Sequence, residues 1–323
     1  MRQNLAPARS ASLSAPLSIV TAMLVLAISD NFVGSVAERM SVWQFHALRS
    51  AMVMPLLAAG MVVLGQGRTL RPLRLGAVLL RAAFMVSALI VYFAAIPAVS
   101  VSLAAAGLFT SPIWVTVFSV ALFGERVGPR RLAGLALGFA GVCLVLRLGT
   151  EPLRAMAVAP VLAGALYALG VIWTRRYCRE ESAGALAVWN LAVFFAAGLA
   201  GLALTPSIGA AVGHIEGTAF ATMPARMPDA DDILVVFALG GAGAIGLVLL
   251  ARGYRDADPT FAALFDFSFL FWVPLFSWLL WGERLAPPVA LGMALIAAAG
   301  LLAVSGMERR ADAAAPGATR SRP

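Results

Sequence analysis

Apolar runs of about 18–24 residues can be placed ten times along this 323-residue chain, each long enough to cross a bilayer as a helix. They cover Leu17–Val36, Trp43–Leu64, Leu75–Ala95, Ser100–Phe123 and Leu132–Leu148. Then follow Ala155–Thr174, Gly184–Leu204, Ile233–Ala251, Thr260–Trp281 and Val289–Ser305. The chain is 61% hydrophobic and 12% charged, about half the charge of a soluble domain. That is more apolar surface than a water-soluble core can hide. Lipid is therefore the solvent for much of the chain, where the backbone must satisfy its own hydrogen bonds, and the expected fold is an all-α membrane protein. Arg2 and Arg9 precede the first run as in a signal peptide. That run is long enough to span, and no small-x-small cleavage site follows it, so it reads as the first membrane helix.

The arginines set the expected orientation. With the N-terminus in the cytoplasm, about 17 arginines fall in inside segments against 5 outside, while Arg49 and Arg81 lie within spans. Both termini are then cytoplasmic. The net charge of +8 is spread through these short gaps and forms no basic face with interleaved aromatics, so nucleic acid is not an expected partner. Cys143 and Cys178 give neither a disulfide framework nor metal spacing and read as unpaired thiols. The longest gap, Thr205–Asp232, is expected outside as a solvated acidic loop carrying His214, Glu216, Asp229, Asp231 and Asp232.

The chain also contains itself twice. Phe118–Ser119, Gly124–Glu125–Arg126 and Pro129 return about 158 residues later as Phe276–Ser277, Gly282–Glu283–Arg284 and Pro287. Trp114 matches Trp272, and Gly134 matches Gly292. Five helices per copy is an odd number, so the second copy enters the membrane from the opposite side. The expected organisation is a cytoplasmic tail 1–16, a five-helix repeat 17–148, an inverted five-helix repeat 155–306 and a disordered cytoplasmic tail 307–323. Inverted halves that exchange conformations are the geometric basis of alternating access in secondary transporters.

Several segments together resemble the EamA-type members of the drug/metabolite transporter superfamily. In the first half these are Leu48–Arg49, Ser111–Pro112, Gly124–Glu125–Arg126 with Arg130–Arg131, and Gly138–Phe139–Ala140–Gly141–Val142. In the second they are Ala251–Arg252–Gly253–Tyr254 with Pro259, Phe265–Asp266–Phe267, and Gly282–Glu283–Arg284 before Gly292. The resemblance covers roughly residues 17 to 306. It implies a ten-helix inverted-repeat carrier of small organic metabolites in the bacterial inner membrane, with no cofactor. Its central cavity would be lined by helices one, three, four, six, eight and nine. Ser29–Asp30–Asn31 stands where many members carry a Trp-Gly-small-Asn run. Asp30 and Phe265–Asp266 look like a branch containing riboflavin and S-adenosylmethionine importers.

Charged groups inside the spans are the first functional candidates, because a carboxylate in lipid costs about 2.5–3.5 kcal/mol on insertion scales. Asp30 and Asp266 can pair with a cationic substrate group, take a proton, or pair with Arg49 or Arg81. Arg81 can snorkel to the headgroups, or act as counter-charge to Asp266 or to a substrate anion. Arg49, with His46 three residues before it, is the candidate for a structural ion pair with Asp30 or Glu38. Tyr92, Trp114 and Phe267 are candidates for stacking on a flat or cationic solute, packing being the alternative. Pro112 and Pro274 interrupt their helices and are gating candidates, static bends being the alternative. The two Gly-Glu-Arg corners read as structural. No catalytic residue, metal site or nucleotide loop is expected. The expected function is secondary transport by alternating access with proton coupling through Asp30 or Asp266. The rivals are an uncoupled facilitator or exchanger of the same fold and, more remotely, a membrane-embedded enzyme. The partners are a small-molecule substrate and the bilayer, and a homodimer is compatible with this reading.

Overall fold

The computed structural model describes residues 14–124, 129–145, 155–256 and 265–314. Among the described residues every regular element is helical. The first half holds α1 (Ser14–Asn31), α2 (Val33–Ala37), α3 (Val42–Val63), α4 (Leu75–Ala95), α5 (Val101–Leu108), α6 (Ser111–Phe123) and α7 (Pro129–Val145). The second holds α8 (Ala155–Tyr177), α9 (Ala183–Val212), α10 (Ala219–Thr222), α11 (Ala230–Asp256), α12 (Phe269–Trp281) and α13 (Pro287–Ala314). Among the described residues, seven stretches are helical, long and apolar enough to cross a membrane, and three shorter apolar helices accompany them. The chain is a multi-pass membrane protein.

Local chemistry sets the helix ends. Ser41, Ser100 and Ser182 precede α3, α5 and α9, and their hydroxyls accept from backbone N–H groups at 3.2, 3.2 and 2.9 Å. Each satisfies one of the donors that a helix start leaves unpaired. α6 and α12 end on Gly124 (φ 64°) and Gly282 (φ 70°), a left-handed conformation that side chains oppose. This explains the glycine of the repeated corner. Ser277 donates to the Glu283 carboxylate, which ties the second corner back onto α12. Glu125 lies outside the described residues.

The main helix pairs are α7 with α13, α4 with α8, α1 with α11, α3 with α9, α5 with α8, α1 with α12, α6 with α8, α3 with α11, α4 with α9 and α5 with α12. The α7–α13 crossing is close because glycines meet there. A Cβ on Gly141 would lie 2.8 Å from the Gly292 carbonyl, and one on Gly292 2.6 Å from the Gly141 carbonyl. Small residues allow such approach where lipid supplies no hydrophobic drive between helices.

Contacts sort the connections to two ends of the bundle. At the Ser41 end, Trp43 donates to the Ala221 carbonyl (2.8 Å), and Trp281 to the Asn31 carbonyl (3.0 Å). At the Ser182 end, Glu181 accepts from the backbone N–H groups of Leu73 and Arg74 at 2.9 and 2.7 Å.

The structure differs from the sequence expectation in several places. α9 runs without a break through Thr205 and Pro206 to Val212, so the expected loop begins eight residues later. That connection is not a free solvated loop: Phe220 is buried and the Asp232 side chain is fully enclosed. α13 continues to Ala314, past the expected boundary at 306. The expected fourth span is two helices, with Phe109 and Thr110 between them. Pro112 falls in the first turn of α6, where its missing N–H has no helical partner to lose, so it starts a helix rather than interrupting one. Pro274 does lie inside α12.

Candidate functional site

Two groups of polar side chains, buried or part-buried, stand inside the bundle. The first surrounds Asp30 near the end of α1. The Tyr92 hydroxyl, from α4, donates to its carboxylate at 2.7 Å. Tyr92 is 1% exposed, so this bond is shielded from water. Arg49 of α3 is within electrostatic reach of Asp30 but makes no salt bridge within 4 Å to any described residue. The expected Arg49–Asp30 or Arg49–Glu38 ion pair is therefore not a direct contact. The guanidinium lies instead 5.9 Å from the ring centres of both Phe45 and Phe93, a cation–π arrangement. It rests on α11 at Gly243, where a Cβ would come within 2.9 Å of Nη2. His46 is buried, stacked on Phe194 at 4.6 Å, and its Nε2 has no hydrogen-bond partner. Asn31, beside Asp30, donates to the carbonyls of Ala27 (2.8 Å) and Val273 (3.3 Å), while its Oδ1 has no partner.

The second group surrounds Arg81 of α4. Its guanidinium donates to Thr174 Oγ1 of α8 (3.2 Å) and, from α9, to the Leu186 carbonyl and Asn190 Oδ1 (both 3.3 Å). All three acceptors are uncharged. Tyr167 lies within electrostatic reach of both Arg81 and Asp266, which places the three in one neighbourhood. The expected countercharge of Arg81 to Asp266 is thus a matter of proximity, not of contact.

The bundle also holds two helix breaks. The chain leaves helical geometry at Phe109–Thr110, between α5 and α6, and at Phe267–Ser268, just before α12. These positions are 158 residues apart, the spacing of the sequence repeat. They meet in space: the Phe109 ring packs against Phe267 at 5.6 Å and stacks on Phe269 at 5.6 Å and 14°. Ser268 Oγ and Trp272 Nε1 are buried without a hydrogen-bond partner. A buried polar atom without a partner is costly, and in lipid it marks a place where water or a solute binds.

Most of the sequence candidates fall in these groups. Asp30 and Tyr92 are joined directly, Arg49 stands beside them, Arg81 and Asp266 share the second neighbourhood, and Phe267 forms one of the breaks. Trp114 is different: it stacks on Phe118 of its own helix at 5.7 Å, as its mate Trp272 tilts against Phe276 at 6.3 Å. Sequence reading missed Phe109, Thr110, Ser268 and Asn190. Extending the 158-residue shift a few residues upstream pairs Phe109–Thr110 with Phe267–Ser268 and would have found three of them.

Residues 13–147 match the EamA-like transporter family. A protein named riboflavin transporter from Rhizobium johnstonii is 28% identical over 219 residues, 68% of this chain and 67% of its own length. Another riboflavin transporter, from Brucella anthropi, is 25% identical over 261 residues, 80% of this chain and 84% of that one. An uncharacterized transporter from Helicobacter pylori is 27% identical over 216 residues, covering 67% and 68%. A protein of known crystal structure shares the fold with TM-score 0.61 and 20% identity, covering 96% of this chain and 100% of its own. An all-helical membrane bundle, a first half matching the EamA-like transporter family and relatives named as transporters together support a transporter of small metabolites of the EamA type.

Proposed function

We propose that the protein carries a flat, heteroaromatic metabolite of the flavin kind across the cytoplasmic membrane by alternating access, with Asp30 as the proton-coupling or ligand-binding carboxylate. The observation that carries this is the meeting of the two helix breaks at Phe109 and Phe267. Broken helices at corresponding positions of two repeats are a general marker of a transporter binding site. Stacked phenylalanines and nearby unpaired donors and acceptors suit a planar ring with polar edges. The names of the two riboflavin-transporter relatives agree with that class.

The helix pairing supports two inverted repeats, 17–148 and 155–306, of five spans each. If each span of the first half is matched with the span five places on, the pairs α4–α8, α5–α8 and α4–α9 map onto α11–α1, α12–α1 and α11–α3. The pairs α3–α9, α5–α12 and α7–α13 map onto themselves. The arginine bias then places the Ser41 end outside and the Ser182 end in the cytoplasm.

The test is uptake of riboflavin, S-adenosylmethionine and amino acids into proteoliposomes, with and without an imposed pH gradient. Flavin uptake that responds to the gradient and loses this response in Asp30→Asn supports the full reading. Flavin counterflow indifferent to the gradient leaves an uncoupled exchanger. No flavin flux, with flux of another solute, overturns the substrate class.

A further inference from the structure

The two ends of the bundle carry clasps built to one plan. At the Ser41 end, the enclosed carboxylate of Asp232, at the start of α11, is held by Arg226 and by Arg39, the latter at 3.4 Å. Asp229 and Asp232 exchange backbone-to-carboxylate hydrogen bonds of 2.8 and 3.0 Å, which cap the start of α11. Gln44 of α3 grips the backbone of Arg226 on both sides, donating to its carbonyl at 2.7 Å and accepting from its N–H at 3.3 Å. At the Ser182 end, the Glu181 carboxylate spans the backbone N–H groups of Leu73 and Arg74, at the start of α4. Ser182 donates to the Thr69 carbonyl, and Trp189 to the Leu70 carbonyl at 3.3 Å.

The parallel is close. Each clasp has a serine N-cap, at α3 or α9, beside a carboxylate that caps a helix start, at α11 or α4. In each, a tryptophan of the serine-capped helix reaches a backbone carbonyl of the facing connection, Ala221 or Leu70. Each clasp also joins a segment of the first half to one of the second: 39–44 to 221–232, and 69–74 to 181–189. Charge-assisted bonds of this kind are the strong ones, and both sets are closed in this structure.

We infer that these clasps are the two gates of the transport cycle: the Asp232 clasp opens one end, the Glu181 clasp opens the other, and the two do not open together. The inference rests on the alternating-access reading. It adds the start of α11 and the connection 178–182, neither of which belongs to the Asp30 or Arg81 group.

The chain contains its own reporter. Cys178 is 2% exposed and lies three residues before Glu181, whose N–H donates to the Cys178 carbonyl at 3.2 Å. Opening the Ser182 end uncovers this thiol. The experiment measures the rate at which a water-soluble maleimide modifies Cys178 in purified full-length protein, in a Cys143→Ser background. Glu181→Gln is expected to raise the rate about threefold or more, because one closed state loses its charge-assisted bonds. Asp232→Asn is expected to lower it by a similar factor, because loosening the far gate draws population away from the state open at Cys178. That second result is decisive, since Asp232 is at the other end and cannot fray the Cys178 turn locally. Arg39→Gln, which leaves Asp232 its Arg226 and backbone bonds, is expected to act in the same direction more weakly and serves if Asp232→Asn does not fold. A Cys178 rate that rises or stays level on loosening the Asp232 clasp overturns the proposal. The labelling uses no substrate, so absent flavin flux with reciprocal labelling faults the substrate class alone, and normal flux with no reciprocity faults the gates alone.

Discussion

Asp30 and Arg81 are both charges placed inside a lipid-facing bundle, and they are held in opposite ways. Arg81 is engaged by three neutral acceptors drawn from two other helices. Asp30 receives one hydrogen bond, from Tyr92, while the nearby cation Arg49 stands off against two rings. A guanidinium that commits three of its five N–H donors to neutral acceptors on two other helices is a brace between them. A carboxylate with one donor and an untouching cation keeps capacity for a proton or a ligand. Both residues stood as sequence candidates for substrate or proton binding, and the geometry separates them.

The sharpest way to break this contrast is to remove each charge and ask what is lost. Asp30→Asn keeps an acceptor for Tyr92 and is expected to fold. A hydrogen bond to a charged group is worth about 1.5–3 kcal/mol, so flux at neutral pH should fall between about tenfold and a hundredfold, measured in proteoliposomes per unit of reconstituted protein. Arg81→Ala should do the reverse. It strips a bond from each of three acceptors and lowers stability by about 2–3 kcal/mol, read as a drop in the melting midpoint of purified protein, while flux per folded molecule stays within about twofold. If Arg81→Ala abolishes flux without loss of stability, the brace reading fails and Arg81 is a ligand contact.

The seat of Arg49 gives the next test. Gly243 and Gly241 lie two residues apart on α11. A Cβ at Gly243 would meet the guanidinium at 2.9 Å, whereas one at Gly241 meets nothing within 4 Å. Gly243→Ala is expected to cost about 1–3 kcal/mol, the usual cost of overpacking, and to disturb flux by displacing the cation near Asp30. Gly241→Ala is expected to be neutral or slightly stabilising, because alanine is the better helix former. Thermal unfolding of the two variants side by side decides whether Arg49 is held by shape.

Much of the fold was legible because lipid leaves a chain few choices. Nearly every apolar run became a helix, since a spanning segment must pair its own backbone. The glycine of the repeated corner was legible as a corner, and the positive φ at Gly124 and Gly282 supplies its reason. The end of α9 was not legible: Thr205–Pro206 looks like a loop in composition, yet Pro206 is carried inside the helix. The break at Phe109–Thr110 was equally hidden, because an apolar run carries no mark of where its backbone turns. Within the site, single charges stood out, but partners did not. That Arg81 would find a hydroxyl, a carbonyl and an amide, while Arg49 would find rings, depends on helix rotation, which periodicity cannot fix when all faces are apolar.

Tyr92→Phe probes the weaker side of the contrast. It removes the single bond on Asp30 and leaves the ring packed against Phe93 at 5.2 Å. A typical hydrogen bond contributes about 0.5–1.5 kcal/mol. The expected result is a two- to tenfold change in the half-saturating substrate concentration, with little change in melting. An effect as large as that of Asp30→Asn would mean that Tyr92 itself contacts the solute.

The smallest effect lies outside the membrane and separates a carboxylate of the bundle end from the one inside it. The Asp229 carboxyl titrates below its ordinary 3.8, because the backbone N–H of Asp232 donates to it and Arg39 and Arg226 lie near. A group whose value in the folded protein is below its unfolded value stabilises the fold fully at pH well above about 4. That contribution is lost as the pH falls through the folded value. Melting of the wild type should therefore soften on acidification below about pH 4, and Asp229→Asn, which still caps α11, should show a shallower acid slope. Its flux at neutral pH should fall far less than that of Asp30→Asn, because the amide oxygen still accepts from the Asp232 N–H and Asp232 keeps both arginines. Since Asp229 is solvent-exposed, water and salt screen its interactions, so the difference in slope should shrink in high salt, whereas the flux defect of Asp30→Asn should persist there. Equal salt sensitivity in the two variants would place Asp30 in contact with bulk water and remove the ground for treating it as the buried partner of a solute.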